Sequence, residues 1–190
     1  ILYGGKEISN FDAYTLRELS VGYVPKDRMG KGICPEATAG ENIALIHTER
    51  FSRGPILTKG MIEKEADSLL TTFAVRGKAH DRISSLSGGN IQKLILSREL
   101  SSGGDLFIIS EPAWGLDAAG RDFVYSRLRS MRSTGKGILI FSVDIDEVLS
   151  VSDRIIILYN GKITATLENR GLTRSLIGEY LLGLKGENPQ

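Results

Sequence analysis

The chain has 190 residues, of which 41% are apolar and 25% are charged, a composition typical of one globular domain with a buried core. Its 24 basic and 23 acidic residues leave a net charge of +1, which argues against a nucleic-acid-binding surface. No apolar run approaches the roughly 18 residues of a membrane-spanning helix. One cysteine excludes an internal disulfide, and two histidines are too few for a zinc cluster. We therefore expect a cytosol-type protein.

The first half of the chain is predicted to be mainly helical. Leu19–Val24 has the apolar pattern of a short strand. Apolar residues at helical spacing then predict helices at Ala39–Ile46, Met61–Phe73 and Asn90–Leu100. Residues 36–86 contain no predicted strand, so we expect a helical lobe at about 36–100.

The second half alternates apolar runs with helical segments. Three runs have strand length, and their continuous apolar character predicts strands buried on both faces: Leu106–Ile109, Ile138–Phe141 and Ile155–Leu158. Helices are predicted between and after them at Ala118–Met131, Asp144–Leu149 and Leu172–Leu184, with a further strand at Lys162–Leu167. Strands separated by helices favour right-handed crossovers and a mostly parallel sheet, so the fold class is α/β.

The sharpest local pattern is Leu86-Ser87-Gly88-Gly89-Asn90, followed by Gln92. A serine and two glycines directly before a helix place a hydroxyl, free backbone N–H groups and the positive end of the helix dipole together. Such a helix start suits phosphate oxygens. The alternative is an ordinary glycine-containing helix cap.

The wider sequence resembles a known family around this pattern. LSGGNIQK is similar to the signature motif of ABC ATPases, in the form found in sugar and nucleoside importers. Other landmarks follow in the family's order: a Walker B strand ending at Ser110 and Glu111, a D-loop with Asp117, and a switch segment at Phe141–Asp144. Upstream, Gly22–Arg28 resembles the Q-loop region of the second nucleotide-binding domain. The resemblance implies a P-loop NTPase-type fold with residues 1–190 as a partial nucleotide-binding domain.

The family's phosphate-binding loop, G-x-x-x-x-G-K-[ST], is absent from these residues. In the family it lies just before the segment with which this chain begins. Either the loop lies upstream of Ile1, or the natural protein lacks it. The start at Ile1 without a methionine favours truncation at the N-terminus.

Several positions depart from the family pattern in a way that implies a degenerate nucleotide site. Ser110 stands where the family has a magnesium-holding carboxylate, Val143 where it has the switch histidine, and Lys26 where it has the Q-loop glutamine. A neutral hydroxyl is a weaker magnesium partner than a carboxylate. Glu111 keeps the position of the carboxylate that polarises the attacking water, and its alternative is a solvent-exposed residue at a strand end.

The resemblance therefore implies an asymmetric head-to-tail pair of nucleotide-binding domains. This chain would offer Leu86–Asn90 and Gln92 to ATP and Mg²⁺ held by its partner, with Asp117 at the contact between domains, and would hold no metal itself. Transmembrane permease subunits would dock on residues 26–60 at the cytoplasmic face of the membrane. The alternatives are a non-transport ABC-type protein and a non-catalytic interaction module.

The resemblance also implies an open sheet edge. In the family, the strand that leads into the phosphate loop runs between the switch strand, here Ile138–Phe141, and Ile155–Leu158. Without it, two rows of backbone donors and acceptors lose their partner. We expect either pairing with another molecule there or an altered strand order.

Overall fold

The computed structural model describes residues 2–46, 48–53 and 56–185. Ile1, the tail from residue 186 and three residues within the predicted docking surface lie outside this part of the chain. The strands are β1 (Leu2–Tyr3), β2 (Lys6–Glu7), β3 (Val21–Val24), β4 (Ser52–Arg53), β5 (Ile56–Leu57), β6 (Leu106–Ser110), β7 (Gly137–Phe141), β8 (Arg154–Tyr159) and β9 (Lys162–Glu168). The helices are α1 (Ala13–Glu18), α2 (Ala39–Ala44), α3 (Lys59–Thr72), α4 (Gly88–Leu100), α5 (Ala118–Ser133), α6 (Ile145–Val151) and α7 (Arg174–Leu181).

The centre of the fold is a parallel sheet of three strands in the order β3-β6-β7. Val21 pairs with Leu106, and Leu106 in turn pairs with Gly137, so the three strands begin at the same end. Their carboxyl ends therefore meet at one edge, where ligand sites form in open α/β sheets. The predicted α/β class and parallel pairing are confirmed.

One continuous core joins this sheet to α2, α3, α4 and α5. Leu94, Ile95 and Leu96 of α4 are fully buried. The helix α4, which begins with the signature motif, therefore packs between the sheet and the helices α2 and α3. Arg98 and Glu99, at the end of α4, are also buried, and Glu99 accepts hydrogen bonds from Arg17 and from the N–H of Tyr23. Burying charged groups costs free energy unless they are hydrogen-bonded, and both Arg98 and Glu99 have hydrogen-bond partners.

β8 and β9 form a separate antiparallel hairpin. Ile155 and Ile157 of β8 pack with Ile177 of α7 in a second, smaller core. Arg132 at the end of α5 donates to Asp153 directly before β8, across 2.6 Å between Nη1 and Oδ1. Because α5 leads into β7, this pair brings the starts of β7 and β8 to the same end of the molecule.

β7 and β8 line a cleft of about 1110 Å³ and do not pair with each other. The expectation of two open edges at this place therefore holds among the described strands. The prediction that both strands are buried on both faces is wrong. In β7, Leu139 is 43% exposed and Phe141 is 51% exposed. In β8, Ile156 is 43% exposed and Leu158 is 58% exposed. These side chains are exposed because the described elements cover only the opposite face of each strand.

Other local predictions need correction. Residues 36–86 do contain strand pairing, since β4 and β5 form an antiparallel hairpin. The sequence pattern also does not reveal α1 or the β1–β2 pair. These elements have two to six residues, too few to show a hydrophobic period. No helix in the described part of the chain combines the length and apolar character that spanning a membrane requires.

Candidate functional site

The signature segment forms the exposed start of α4. Ser87 is the N-cap residue, and its Oγ accepts hydrogen bonds from the backbone N and side-chain Nδ2 of Asn90, at 3.4 and 3.1 Å. The helix begins at Gly88, two residues before the predicted start. Ser87 and Gly88 are exposed, and among the described residues none accepts a hydrogen bond from the N–H of Gly88 or Gly89. The segment is thus a helix cap, and its free N–H groups are accessible hydrogen-bond donors for an anion.

The signature helix lies directly against the predicted D-loop. A Cβ atom on Gly89 would lie 3.0 Å from the carbonyl oxygen of Gly115, so glycine permits this approach. Asp117 is exposed and caps α5, where its Oδ1 accepts the N–H of Gly120 at 2.8 Å. The structure therefore brings the signature and Asp117 together at one surface.

Gln92 connects the signature helix to the end of β6. Its side chain is fully buried, and its Nε2 donates to the carbonyl oxygens of Glu111 and Pro112 at 3.3 and 2.9 Å. Its Oε1 has no hydrogen-bond partner. Although the sequence analysis placed Gln92 with the ATP-contacting residues, its amide supports the turn after β6 instead of facing solvent.

Glu111 is only 9% exposed, which corrects the alternative of a solvent-exposed strand end. Its backbone has the left-handed φ of +50°, uncommon for a residue with a side chain. The carboxylate accepts the N–H of Val143 at 3.3 Å and the hydroxyl of Ser142 at 3.4 Å. Backbone strain of this kind is frequent at functional sites, where surrounding contacts fix the conformation.

The other degenerate positions lie around Glu111. Lys26, Ser110 and Val143 line the same end of the cleft, where the parallel strands finish. Four positions that are far apart in the sequence therefore lie together in the structure. The donor set does not fit Mg²⁺, because Glu111 is engaged by two donors, Ser110 is neutral and Lys26 is a cation. The part of the chain that the structure describes contains no group of three or more metal-ligating side chains.

A buried carboxyl that the sequence analysis did not identify supports the same turn. Glu147 is 3% exposed, and it accepts the N–H of Ala113 at 3.2 Å. Burial raises the pKa of Glu147, the charge of Glu111 adds to this rise, and the hydrogen bond from the Ala113 N–H opposes it. Burial, with the nearby Glu147, also raises the pKa of Tyr125 well above its ordinary range. The sequence offers no signal for Glu147, since an acidic residue in the first turn of a helix is ordinary.

Arg28, the last residue of the Q-loop-like motif, reaches the same turn from the other side. Its Nη2 donates to the carbonyl oxygen of Trp114 at 2.9 Å. Burial lowers the pKa of Arg28, and the charge of Glu111 opposes that shift. The Q-loop-like motif does not predict this contact of Arg28, because only the folded chain brings residues 28 and 114 together.

Curated proteins with similar sequences are import ATP-binding proteins. The chain is 38% identical to a nucleoside import ATP-binding protein of Lactococcus lactis over 94% of its own length, and 34% identical to a guanosine import ATP-binding protein of Bacillus subtilis over 96%. It is 32% identical to a glucose import ATP-binding protein of Haloferax volcanii over 94%. The chain spans only 36% of the length of each of the first two relatives. No protein-family model matches it.

Solved structures give the same fold. The dimeric ATP-binding cassette MJ0796 in a post-hydrolysis state bound to ADP and Pi superposes with a TM-score of 0.74 at 21% identity, over 90% of this chain and 73% of that one. A second dimeric structure of MJ0796 gives a TM-score of 0.70 at 22% identity, over 85% and 69%. The chain is a homologue of the ATP-binding proteins of nucleoside and sugar importers, and it has the fold of an ABC ATPase cassette.

Proposed function

We propose that the chain is part of the ATP-binding component of an ABC importer, and that it donates its signature to ATP held by a partner domain. The observation that carries this proposal is the accessible start of α4. Ser87 and Gly88 are exposed, and the first N–H groups of the helix are available to an anion. This exposure leaves the helix start accessible to the phosphates of a nucleotide held by another domain.

Residues 1–190 do not by themselves supply what ATP hydrolysis needs. Phosphoryl transfer depends on a loop of N–H groups and a lysine around the phosphates, together with a bound metal ion. The phosphate-loop motif does not occur in these residues, and the cleft end at Ser110 and Glu111 does not fit Mg²⁺. We therefore assign ATP and Mg²⁺ to the partner domain, with Leu86–Asn90 closing over the nucleotide and Asp117 at the domain contact.

The partners follow from this assignment. Residues 1–190 would form one partial nucleotide-binding domain, with the lobe at 36–100, and a second such domain would face the signature head to tail. Residues 26–60 would contact the permease subunits at the cytoplasmic face of the membrane. Three apolar side chains there are about half exposed and could contact a permease helix: Met29, Leu45 and Leu57.

The relatives support a nucleoside as the transported solute. Among the proteins named above, the nucleoside and guanosine importers have higher identities, 38% and 34%, than the glucose importer at 32%. In this proposal the permease subunits, and not residues 1–190, would select the solute.

ATP turnover by the assembled pair of domains tests the proposal. Ser87→Arg fills the exposed cap with a long cation and should abolish most turnover, whereas Glu111→Gln in the degenerate site should leave most of it. Ser85→Arg is the matched control, because Ser85 is exposed and lies just outside the motif. If Glu111→Gln abolished turnover and Ser87→Arg did not, the chain's own site would be the active one.

A further inference from the structure

We propose that Arg28 is a positioning residue for the signature site, acting through the turn between Glu111 and Asp117. This inference rests on the proposed function for its meaning, although the contact itself can be measured on the chain alone. It assigns to the segment after β3 a role in shaping the surface that meets the partner domain.

Arg28 is itself held in place before it reaches the turn. It begins a π-helical turn, Arg28–Gly32, whose cap is Asp27, and the Asp27 carboxylate accepts the N–H of Gly30 at 2.9 Å. At the far end of that turn, the carbonyl oxygen of Gly32 accepts a 2.7 Å hydrogen bond from the buried Arg98. Hydrogen bonds thus hold both ends of the backbone segment that carries Arg28.

The guanidinium contacts the turn at Trp114 and Gly115, on the side nearer to the D-loop. Nη2 donates to the carbonyl oxygen of Trp114, and Nη1 lies 3.6 Å from the position that a Cβ atom on Gly115 would take. Gly115 has a φ of +73°, and its carbonyl oxygen is the one that abuts Gly89. Arg28 therefore holds one side of the turn while the signature helix contacts the other.

Each of the other contacts to this turn holds a different backbone group. Gln92 holds the carbonyls of Glu111 and Pro112, and Glu147 holds the N–H of Ala113. Among the backbone groups of the turn that these side chains contact, the Trp114 carbonyl, which accepts from Arg28, is nearest to the D-loop. Loss of Arg28 would therefore release the half of the turn that packs on Gly89 and leave the other half anchored.

The chain offers a direct spectroscopic probe, because Trp114 is its single tryptophan and its side chain is 64% exposed. The N–H of Trp114 bonds to the Glu111 carbonyl at 3.2 Å, and that of Leu116 bonds to the Ala113 carbonyl at 3.1 Å. Hydrogen exchange of these two amides and the fluorescence anisotropy of Trp114, measured at one fixed chain concentration, report on the turn.

The experiment compares Arg28→Gln and Arg28→Lys with Arg129→Gln. Arg129 is a matched control, since it also donates to a backbone carbonyl, that of Ser150, which does not belong to the turn. We expect Arg28→Gln to speed exchange of the Trp114 and Leu116 amides about tenfold and to lower the anisotropy, because a charged donor to a carbonyl is lost. Arg28→Lys should restore part of the protection, and Arg129→Gln should leave it unchanged.

In the assembled pair, Arg28→Gln should raise the KM for ATP about fivefold, with a smaller change in kcat, because a displaced signature binds the nucleotide less well. Unchanged exchange in Arg28→Gln, or equal acceleration in Arg129→Gln, would overturn the proposal. So would an unchanged KM in a pair that Ser87→Arg inactivates. If Ser87→Arg itself leaves turnover intact, the proposed function fails, and the exchange rates alone decide whether Arg28 positions the turn.

Discussion

A Cβ atom on Gly89 would lie 3.0 Å from the carbonyl oxygen of Gly115, whereas one on Gly88 would meet no atom within 4 Å. The two glycines of the signature therefore have different roles. Gly89 permits the contact between helix and turn, and Gly88 leaves the helix start open to a ligand.

Gly89→Ala should lower the free energy of unfolding by about 1–3 kcal/mol, the cost of forcing a methyl group into a packed site. Gly88→Ala should leave it unchanged or raise it by up to about 1 kcal/mol, because alanine favours the helix. Urea unfolding of both variants measures the difference. Equal stabilities would mean that α4 does not pack on Gly115 as described.

Gln92→Ala should be strongly destabilising. It removes the donor to two carbonyl oxygens and opens a cavity around a fully buried side chain, so we expect a loss of about 2–4 kcal/mol. The neighbouring Lys93→Ala removes only an exposed hydrogen bond to the Ala74 carbonyl and should cost less than about 1 kcal/mol. Chemical denaturation distinguishes the two, and a smaller loss for Gln92→Ala than for Lys93→Ala would contradict the buried position of Gln92.

Glu147 should make stability depend on pH in a defined direction. Because burial raises its pKa in the folded state, the folded chain holds this proton to higher pH than the unfolded chain does. Its contribution to stability is therefore complete below the ordinary glutamate pKa, and it is lost as pH rises through the raised value. Glu147→Gln removes this loss and can still accept the N–H of Ala113.

The measurement is the free energy of unfolding of the wild type and Glu147→Gln from pH 4 to pH 8. The stability of the variant relative to the wild type should increase across the interval between the ordinary and the raised pKa of Glu147. A difference that stays constant with pH would show that Glu147 ionises normally. A difference that falls with rising pH would mean that folding lowers the pKa of Glu147 instead of raising it.

The open edges of β7 and β8 should cause association of the isolated chain. Their exposed apolar side chains and unpaired backbone groups can pair with another molecule. Leu139→Lys and Leu158→Lys should reduce concentration-dependent association in sedimentation velocity. The control is Leu45→Lys, because Leu45 is 52% exposed and lies at the end of α2. This substitution should leave the association unchanged. Equal association of all variants would place the contact elsewhere.

The sequence pattern predicts the central fold well, because the elements concerned are long or strongly apolar. α4 and α5 span 13 and 16 residues, and the parallel strand β6 is a continuous apolar run. The exposed faces of β7 and β8 were not predicted. An apolar run in a sequence shows which strands can be buried, but not whether a covering element is present.

The residues of the candidate site can likewise be predicted only in part from the sequence. Ser87, Glu111 and Asp117 can be placed from motifs, because each lies at the end of a predictable strand or helix. Arg28 and Glu147 cannot, since they reach the turn from elements 86 and 34 residues away in sequence. The burial of Gln92 was also not predicted, because the motif shows its position on the helix but not which neighbour covers it.

ATP affinity tests the central claim most directly. Titrations with ATP and Mg²⁺ would compare the partner domain alone, the partner with this chain, and the partner with the Ser87→Arg chain, with the isolated chain as a fourth sample. We predict no detectable binding by the isolated chain at millimolar ATP, and about tenfold tighter binding by the partner when the wild-type chain is present, which Ser87→Arg abolishes. Tight binding by the isolated chain, or equal tightening by the Ser87→Arg chain, would contradict the claim that the exposed start of α4 binds a nucleotide held by another domain.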